Sequence, residues 1–433
     1  PLAADLPAER REFMARDTGA AHVLDLTTDG LAAMERAGVE RAGLDDLALP
    51  QGRSNDTAYI LYTSGSTGLP KGVRVSHAAL LNTLLGVGEE YDLTADDRTL
   101  MFASPAFDVS LSDIGLPLVF GATLCLATAE VIERPAALLD LVRDRGVTVA
   151  DLTPTYLRLL DGALPDSVRI LVTGGEAPLA GDVARYGSRL RYVNAYGPTE
   201  NAITSTMGAL PVAGLNGVLA TGRPLPNTLV EIRDAAGALA APGAVGEVWL
   251  GGLNLAEGYL NRPDLTAAAF IGEGDQRRYR TGDLGRWRGG HDGGLPVLEV
   301  LGRRDHQVKL NGIRIELGEI EAALETHPAV AQAVVALEAA PNGEPNDEPG
   351  RQSLWAFVRP QADGPREWLT QGWRETLAGR LPAYMIPAAL LVVDAIPMTT
   401  SGKVDRVALR ALLALSGRAG RRRSGRRPAP GAG

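Results

Sequence analysis

The chain has 433 residues, 45% of them hydrophobic and 22% charged, and its formal net charge is −9. These values describe an ordinary globular protein with room for a large and a small domain. The acidic balance argues against nucleic acid as the main partner, and the sequence shows no apolar run that could span a membrane and no signal-peptide pattern. The single cysteine, Cys125, excludes an internal disulfide, so we expect a cytoplasmic protein.

The first half of the chain predicts alternating strands and helices. Ala58–Tyr62 is an apolar run typical of a buried strand, and Ser76 is placed to cap a helix that runs through Leu85. Further strands are predicted at Thr99–Ala103, Thr123–Leu126, Val147–Leu152 and Arg169–Val172, and further helices at Ala136–Arg145 and Pro178–Tyr186. This alternation favours an α/β fold with a largely parallel sheet.

The second half predicts a change of architecture. Residues 215 to 300 hold short apolar runs separated by Gly and Pro, which predicts a β-rich subdomain. A charged segment then leads into an amphipathic helix, Leu317–Glu325, and a smaller α/β unit follows. The polar stretch 338–352 predicts a mobile loop, and residues 412–433, rich in Arg, Gly and Pro, predict a disordered basic tail.

The sharpest motif is Thr63-Ser64-Gly65-Ser66-Thr67-Gly68-Leu69-Pro70-Lys71-Gly72, directly after the first predicted strand. Its small hydroxyl residues, glycines and lysine can present backbone N–H groups, hydroxyls and a cation to a polyphosphate. It is not a Walker A loop, because Lys71 is followed by Gly72 rather than by Ser or Thr. The motif therefore predicts a phosphate-binding loop of another family.

The motif resembles the signature loop of the adenylate-forming superfamily, which includes acyl-CoA ligases, luciferases and the adenylation domains of nonribosomal peptide synthetases. Further segments resemble the same superfamily in the same order. They are Phe107–Ser110, Asn194–Glu200, Gly246–Leu260, Tyr279–Leu284, Gly302–Glu321, Leu381–Pro387 and Ser401–Arg406. The form of the later segments is similar to peptide synthetases rather than to acyl-CoA ligases.

The resemblance implies an α/β fold with two parts. Residues 1–301 would form the large N-terminal core, with α/β layers and a β-rich subdomain, and residues 302–411 a small mobile C-terminal α+β domain. Residues 1–20 resemble the second conserved segment of adenylation domains, which implies that the family's preceding portion is absent. The activity implied is the ATP-dependent conversion of an amino acid into an aminoacyl-AMP and pyrophosphate.

The resemblance also implies ATP and Mg²⁺ as cofactors. Glu200, a hard oxygen ligand, would hold Mg²⁺, and Thr199 would bond the α-phosphate. Asp283 would accept hydrogen bonds from the ribose hydroxyls, and Lys403 would stabilise charge at the α-phosphate during attack by the substrate carboxylate. The other nucleotide-binding positions are Thr63, Ser64, Gly65, Ser66, Thr67, Gly68, Lys71, Gly174, Gly175, Glu176, Asn194, Tyr196 (facing adenine) and Arg303 (near the ribose).

A hinge and a partner follow from the same resemblance. Asp305 would be the hinge about which the small domain swings after adenylation. In one pose Lys403 would face the nucleotide, and in the other the Lys309–Arg314 loop would line a channel for the phosphopantetheine thiol of a peptidyl carrier protein. Dependence on a small helper protein of the MbtH type stays open.

The amino-acid pocket is the third implication. Its positions by resemblance are Asp108, Val109, Ser112, Asp151, Val172, Gly174, Ala195, Ile203, Thr204 and Lys403. Asp108 would bind the α-ammonium group, and Asp151 would pair with a cationic side chain, best a guanidinium. Arginine is the expected substrate, with ornithine, lysine, capreomycidine and enduracididine open. The structural alternative is that Asp151 caps the helix beginning near Pro154 or turns to solvent.

Two alternative functions remain: an acyl- or aryl-CoA ligase of the same superfamily, and an inactive scaffold fragment. Asp108 separates the first from the amino-acid hypothesis, because a fatty or aryl acid needs no acidic partner. On the helix 317–325, the acidic residues Glu316, Glu319 and Glu321 are interpreted as a solvated structural face rather than a site.

Overall fold

The computed structural model describes residues 1–2, 6–20, 52–65, 69–160, 164–212, 218–289, 295–304, 307–339, 352–361, 369, 372–398, 404–405, 408–409 and 411–413. The predicted mobile loop at 338–352 and the basic tail lie almost wholly outside these residues. The helices are α1 (Ala8–Thr18), α2 (His77–Tyr91), α3 (Val109–Phe120), α4 (Ala129–Ile132), α5 (Pro135–Asp144), α6 (Pro154–Arg158), α7 (Ala180–Tyr186), α8 (Pro263–Ala269), α9 (Leu317–Glu325) and α10 (Trp373–Ala378).

Twenty strands are present in the described residues. The first ten are β1 (Thr57–Thr63), β2 (Lys71–Ser76), β3 (Arg98–Met101), β4 (Thr123–Leu126), β5 (Val149–Asp151), β6 (Ile170–Thr173), β7 (Arg191–Tyr196), β8 (Thr206–Ala209), β9 (Arg223–Pro224) and β10 (Thr228–Arg233). The others are β11 (Gly246–Gly252), β12 (Gly258–Tyr259), β13 (Phe270–Ile271), β14 (Arg278–Arg288), β15 (Val297–Arg303), β16 (Gln307–Leu310), β17 (Ile313–Glu316), β18 (Val330–Ala339), β19 (Gln352–Pro360) and β20 (Ala389–Val392).

The central element is a seven-stranded sheet in the order β4-β3-β5-β6-β7-β8-β9. Strands β4 to β7 pair in parallel, and β8 and β9 continue the sheet antiparallel. Side chains of α5 and α7, such as Leu138 and Tyr186, pack on one face, and side chains of α2 and α3, such as Val87 and Leu116, pack on the other. The predicted α/β class with a parallel sheet is confirmed.

The predicted elements in this half are largely correct. Ser76 caps α2, because its Oγ accepts a hydrogen bond from the Ala79 amide at 3.2 Å. The helix continues beyond the predicted end at Leu85 to Tyr91. The predicted strands at 99–103 and 147–152 are shorter than expected, since β3 and β5 keep only the residues that pair with neighbouring strands.

The later half is β-rich and then α/β, as predicted. Strands β10, β11, β14 and β13 form one sheet to which β15 is added on β14, and β1, β2 and β12 form a small sheet. In the C-terminal part, β18, β19 and β20 form a sheet whose core includes Ile320 and Leu324 of α9 and Trp373 of α10. Helix α9 has the predicted bounds.

One hairpin connects the C-terminal part to the rest of the protein. Strands β16 and β17 pair antiparallel with Leu310 opposite Ile313, so that Asn311 and Gly312 form a two-residue turn. Both turn residues have positive φ, 53° and 79°, which an Asn-Gly pair adopts readily. The hairpin tip is therefore a short, well-defined projection.

Candidate active site

The candidate site lies at the carboxyl ends of β5, β6 and β7, where parallel sheets commonly bind ligands. Asp151 ends β5, Gly174 follows β6, and the segment from Tyr196 to Glu200 follows β7. Asp108 adjoins this edge at the start of α3. Five predicted residues lie outside the described residues: Ser66, Thr67, Gly68, Asp305 and Lys403.

Glu200 is fully buried and surrounded by donors. Its Oε1 accepts the Tyr259 hydroxyl at 2.8 Å and lies 3.6 Å from the Lys71 ammonium, and its Oε2 lies 3.3 Å from the Arg314 guanidinium. Burial alone would raise the pKa of this carboxyl, but the charges of Arg314 and Lys71 and the bond from Tyr259 outweigh burial and hold the pKa at about 2. Glu200 is therefore ionised throughout the physiological range.

A second buried carboxylate, Asp283, holds two predicted nucleotide positions together. It accepts the Tyr196 hydroxyl at 2.5 Å and the Arg303 guanidinium at 2.7 Å. The ammonium of Lys309, on the projecting hairpin, lies 5.5 Å from the centre of the Tyr196 ring. Burial lowers the pKa of Lys309, against the raising effect of Asp283. Lys309 is a residue whose contact with this ring the sequence alone did not predict.

The Gly174-Gly175-Glu176 turn contacts the hairpin tip. Gly175 has φ 77°, and a Cβ there would lie 2.8 Å from the Gly312 carbonyl oxygen. The Glu176 carboxylate accepts the Gly312 amide at 2.7 Å and the Thr155 hydroxyl at 2.7 Å. This close backbone approach explains why glycines stand on both sides of the contact.

The start of the phosphate loop also contacts the C-terminal part. The Ser64 hydroxyl donates to the Arg314 carbonyl at 3.2 Å and accepts the Glu316 amide at 3.1 Å. The Gly65 amide donates to Glu319 at 3.1 Å. In this arrangement the hairpin and α9 satisfy these polar groups of the loop.

The acidic residues of α9 are not a solvated face, so that prediction was wrong. Glu319 is 1% exposed and pairs with Arg10, and Glu321 accepts the Val335 amide at 2.8 Å. Glu316 is 8% exposed and accepts a hydrogen bond from Gln307. The helix turns these carboxylates inward because distant backbone and side-chain donors meet them there. Their structural rather than catalytic interpretation stays a prediction.

Asp108 and Thr199, predicted for the α-ammonium group and the α-phosphate, are neighbours. Burial raises the pKa of the Asp108 carboxyl, and the Thr199 hydroxyl beside it acts in the opposite direction. Asn194, also predicted at the nucleotide, donates its side-chain amide to the Ala220 carbonyl at 2.9 Å. Asn194 therefore fixes the loop behind the site.

The predicted pocket positions come from adjacent elements. Asp151 and Val172 are directly paired in the sheet, and a Cβ on Gly174 would contact Ala195. Ile203 has φ 74°, a strained value for a β-branched residue that costs roughly 1–3 kcal/mol. The grouping of all the apolar and small positions into one pocket stays a prediction; they are Val109, Ser112, Val172, Gly174, Ala195, Ile203 and Thr204.

Asp151, at the end of β5, has no cation beside it among the residues that the structure describes. Burial raises the pKa of its carboxyl to about 7. It does not cap the following helix, because the Thr153 hydroxyl accepts the Tyr156 amide of α6 at 3.2 Å. Within the described part of the chain, no hydrogen-bond or ion-pair partner of the Asp151 side chain is found.

Asp113 is a second carboxylate near Asp151 that the sequence reasoning missed. Its Oδ2 accepts the backbone amides of Phe102 and Ala103, both at 3.1 Å, at the end of the strand β3. Burial and the charge of Asp151 raise the pKa of Asp113. An aspartate inside the otherwise apolar helix α3 was the sequence signal that could have revealed it.

Comparisons with known proteins place the chain in a family. Residues 1–260 match the family model of AMP-binding enzymes, and residues 319–403 match that of the AMP-binding enzyme C-terminal domain. The dimodular nonribosomal peptide synthase of Bacillus subtilis is 37% identical in an alignment of 439 positions, which covers 94% of this chain and 17% of that protein. The phosphinothricin tripeptide synthetase PhsC of Streptomyces viridochromogenes is 39% identical over 436 residues, which cover 96% of this chain and 38% of that protein.

Solved structures are similar over nearly the whole chain. Holo-PA1221, a nonribosomal peptide synthetase protein containing adenylation and PCP domains, superposes with a TM-score of 0.78 at 28% identity, covering 95% of this chain and 70% of that one. The Vibrio cholerae adenylation domain AlmE superposes with a TM-score of 0.78 at 24% identity, covering 96% and 84%, and supports the fold alone.

The fold and the family match define the class: this chain belongs to the AMP-binding enzyme family, in the group of nonribosomal peptide synthetase adenylation domains. It spans 17% and 38% of the lengths of the Bacillus and Streptomyces synthetases. None of the described helices is both long and apolar enough to cross a membrane. The described residues contain no group of three or more His, Cys, Asp or Glu side chains that could hold a metal ion.

Proposed function

We propose that the chain uses ATP to convert an amino acid into an aminoacyl-AMP and pyrophosphate. The observation that carries this proposal is the grouping of three carboxylates, Glu200, Asp283 and Asp108, around one sheet edge in three different environments. Glu200 lies between two cations, Asp283 joins a tyrosine to an arginine, and Asp108 lies beside a threonine hydroxyl. The ribose hydroxyls, a phosphate-bound Mg²⁺ ion and an ammonium group would each take one of these carboxylates as a partner.

The nucleotide would lie along β7. Asp283 would accept the ribose hydroxyls, the Tyr196 ring would face adenine, and Arg303, already paired with Asp283, would orient that carboxylate. Thr199 would donate a hydrogen bond from its hydroxyl to the α-phosphate, which would leave Asp108 for the α-ammonium group. The substrate carboxylate attacks the α-phosphorus and pyrophosphate leaves, so that no enzyme nucleophile is required and positioning supplies the catalysis.

Glu200 fits the role of a Mg²⁺ ligand, because it is a hard oxygen ligand that stays ionised. When bound, the ion would neutralise charge on the phosphates. Arg314 contacts one Glu200 oxygen in the present arrangement, so the hairpin and the ion compete for the same carboxylate. This competition supports an alternation between a pose for adenylation and a pose for transfer.

The second half-reaction would use the pose described here. The hairpin tip contacts the Glu176 turn, and Lys309 and Arg314 reach Tyr196 and Glu200. Rotation about Asp305 would withdraw the hairpin and bring Lys403 to the α-phosphate. That rotated pose would serve adenylation. After the hairpin has returned to the position described here, the aminoacyl group would pass from AMP, which leaves, to the phosphopantetheine thiol of a peptidyl carrier protein, in another part of a longer chain or in a separate protein.

The substrate we propose is arginine or a related basic amino acid. Asp108 would pair with the α-ammonium group and Asp151 with the side-chain cation. Asp151 supports this choice because a carboxylate in a desolvated position needs either a proton or a cation, and its raised pKa shows that burial is not offset by a neighbouring charge. The planar guanidinium offers it two parallel donors.

Pyrophosphate exchange with a panel of acids tests the proposal. Arginine, ornithine, lysine, capreomycidine and enduracididine are compared with neutral and acidic amino acids and with benzoate and a fatty acid plus CoA. We expect exchange with basic amino acids, arginine first. Exchange with benzoate or a fatty acid alone would indicate a CoA ligase, and no exchange with any acid would indicate an inactive scaffold.

A further inference from the structure

A cavity of about 320 Å³ lies beside the candidate site, between β14, the end of β15, α8 and the hairpin. Its volume is in the range of small-ligand pockets. Among the residues that the structure describes, its lining includes five basic residues and one carboxylate, Glu247. The basic residues are Lys71, Arg280, Arg303, Arg304 and Arg314. Such a charge balance is suited to an anion.

The deep end of the cavity is continuous with the phosphate side of the candidate site. Lys71 and Arg314 line it, and the same two cations share the single carboxylate of Glu200. Their side chains are 13% and 19% exposed. These two cations border the place where the released phosphates would stand, and Glu316 and Asp283 are further acidic neighbours of Lys71 and Arg314 respectively.

The outer end repeats this arrangement. Arg280 and Arg304 lie 3.1 Å and 3.3 Å from the same oxygen of Glu247. Their side chains are 37% and 57% exposed, while that of Glu247 is 8% exposed. The cavity therefore has a basic pair at each end, one deep and one at the solvent. Arg303, between them, is paired with Asp283.

We propose that this cavity is a binding site for inorganic pyrophosphate and its route from the site to solvent. The inference rests on the proposed adenylation, because that reaction forms pyrophosphate beside Lys71. Guanidinium groups bind phosphate oxygens through paired N–H donors, so Arg280 and Arg304 can receive the anion that Lys71 and Arg314 release. Because Gln307 and Arg314 lie on the hairpin, the cavity has this lining only in the transfer pose, so pyrophosphate would leave by this route after the small domain has rotated.

The test substitutes the outer arginines in the full chain. Arg280→Gln/Arg304→Gln removes both outer cations, and Arg286→Gln/Arg288→Gln is the matched control. Arg286 and Arg288, on the same strand β14 as Arg280, lie 2.7 Å and 2.9 Å from the buried Glu299 of β15 and do not line the cavity. Each double variant therefore removes two arginines that pair with one buried glutamate, Glu247 in the test and Glu299 in the control.

Calorimetry with inorganic pyrophosphate is the first measurement. We expect the dissociation constant to rise about 10- to 100-fold in the Arg280/Arg304 variant and to change little in the control. The KM for pyrophosphate in the exchange assay should rise in parallel. If the double variant unfolds, the single variant Arg304→Glu takes its place, because it keeps the Arg280–Glu247 pair. It should also weaken pyrophosphate binding.

A second titration separates the outcomes. Phosphopantetheine is titrated into the same variants. If the Arg280/Arg304 variant loses affinity for phosphopantetheine but not for pyrophosphate, the proposal is overturned in favour of a carrier-arm site. Equal pyrophosphate affinity in all variants, with exchange active, overturns the cavity site alone. Absence of exchange with any amino acid, with pyrophosphate binding still lost in the variant, overturns the adenylation proposal and retains the anion site.

Discussion

Glu200 and Asp151 are carboxylates at the same edge of the large sheet, yet their protonation behaviour is opposite. The pKa of Glu200 is lowered to about 2, because Arg314, Lys71 and Tyr259 outweigh the effect of its burial. The pKa of Asp151 is raised to about 7 by desolvation. The difference teaches that burial alone does not decide the ionisation of a carboxylate: Glu200 has cations beside it, and Asp151 has none among the described residues, which is why we propose a ligand cation there.

The largest effect is expected at the internally balanced carboxylate. Glu200→Gln leaves Lys71 and Arg314 without their counter-charge, which should lower the free energy of unfolding by roughly 3–5 kcal/mol. The contribution of Glu200 is present above pH 4.5 and is lost as the pH falls toward about 2, because its folded pKa is depressed. Denaturant unfolding of the variant and the wild type at pH 7 measures the difference in stability. An unchanged free energy of unfolding would show that Lys71 and Arg314 do not need Glu200 as a counter-charge.

The next prediction concerns the cation proposed for the adenylation pose. Lys403→Ala should lower the adenylation rate about 10²- to 10³-fold, the usual cost of removing a transition-state donor. Transfer from a supplied aminoacyl-AMP to a carrier thiol should persist. Single-turnover kinetics of the two half-reactions measure this, and normal adenylation in the variant would contradict the assignment.

Glu200 and its donors also show how far the sequence reasoning reached. The loop motif, β1, the Ser76 cap and α9 were predicted because each depends on neighbours within a few residues. The donors around Glu200 and Glu319 were not, because they arrive from far along the chain: Arg314 is 114 residues from Glu200, and Arg10 is 309 residues from Glu319. An acidic residue on an amphipathic helix carries no local sign of such a partner.

Asp151 should show the opposite stability effect from Glu200. Its raised pKa means that the free protein loses stability as the pH rises from 3.8 through about 7, since the folded state holds the proton more tightly. Asp151→Asn should therefore stabilise the ligand-free protein by roughly 1–3 kcal/mol at pH 8 and little at pH 4.

The control for that experiment is Asp97→Asn. Asp97 accepts hydrogen bonds from Arg169 and Thr148, and its pKa is lowered to about 2. The same chemical change should destabilise the protein there. Thermal denaturation of both variants at the two pH values decides the sign, and destabilisation by Asp151→Asn at pH 8 would show that Asp151 is already paired.

A smaller effect is expected in the pH dependence of the adenylation of arginine. Raising the pH from 6 to 8 ionises Asp151, so kcat/KM for arginine should increase by about 10-fold relative to that for a neutral amino acid. Asp151→Asn should abolish the relative change. Pyrophosphate exchange across this range measures it, and parallel profiles for both substrates would argue against a charge-pairing role.

The comparison of arginine with its neutral isostere citrulline tests the central claim most directly. The account predicts that the wild type activates arginine with much higher kcat/KM than citrulline. Asp151→Ala should cut the efficiency for arginine by about 30-fold or more and barely change that for citrulline, since removing a buried charge partner costs roughly 2–5 kcal/mol. A wild type that prefers citrulline, or a preference that survives Asp151→Ala, would contradict the account.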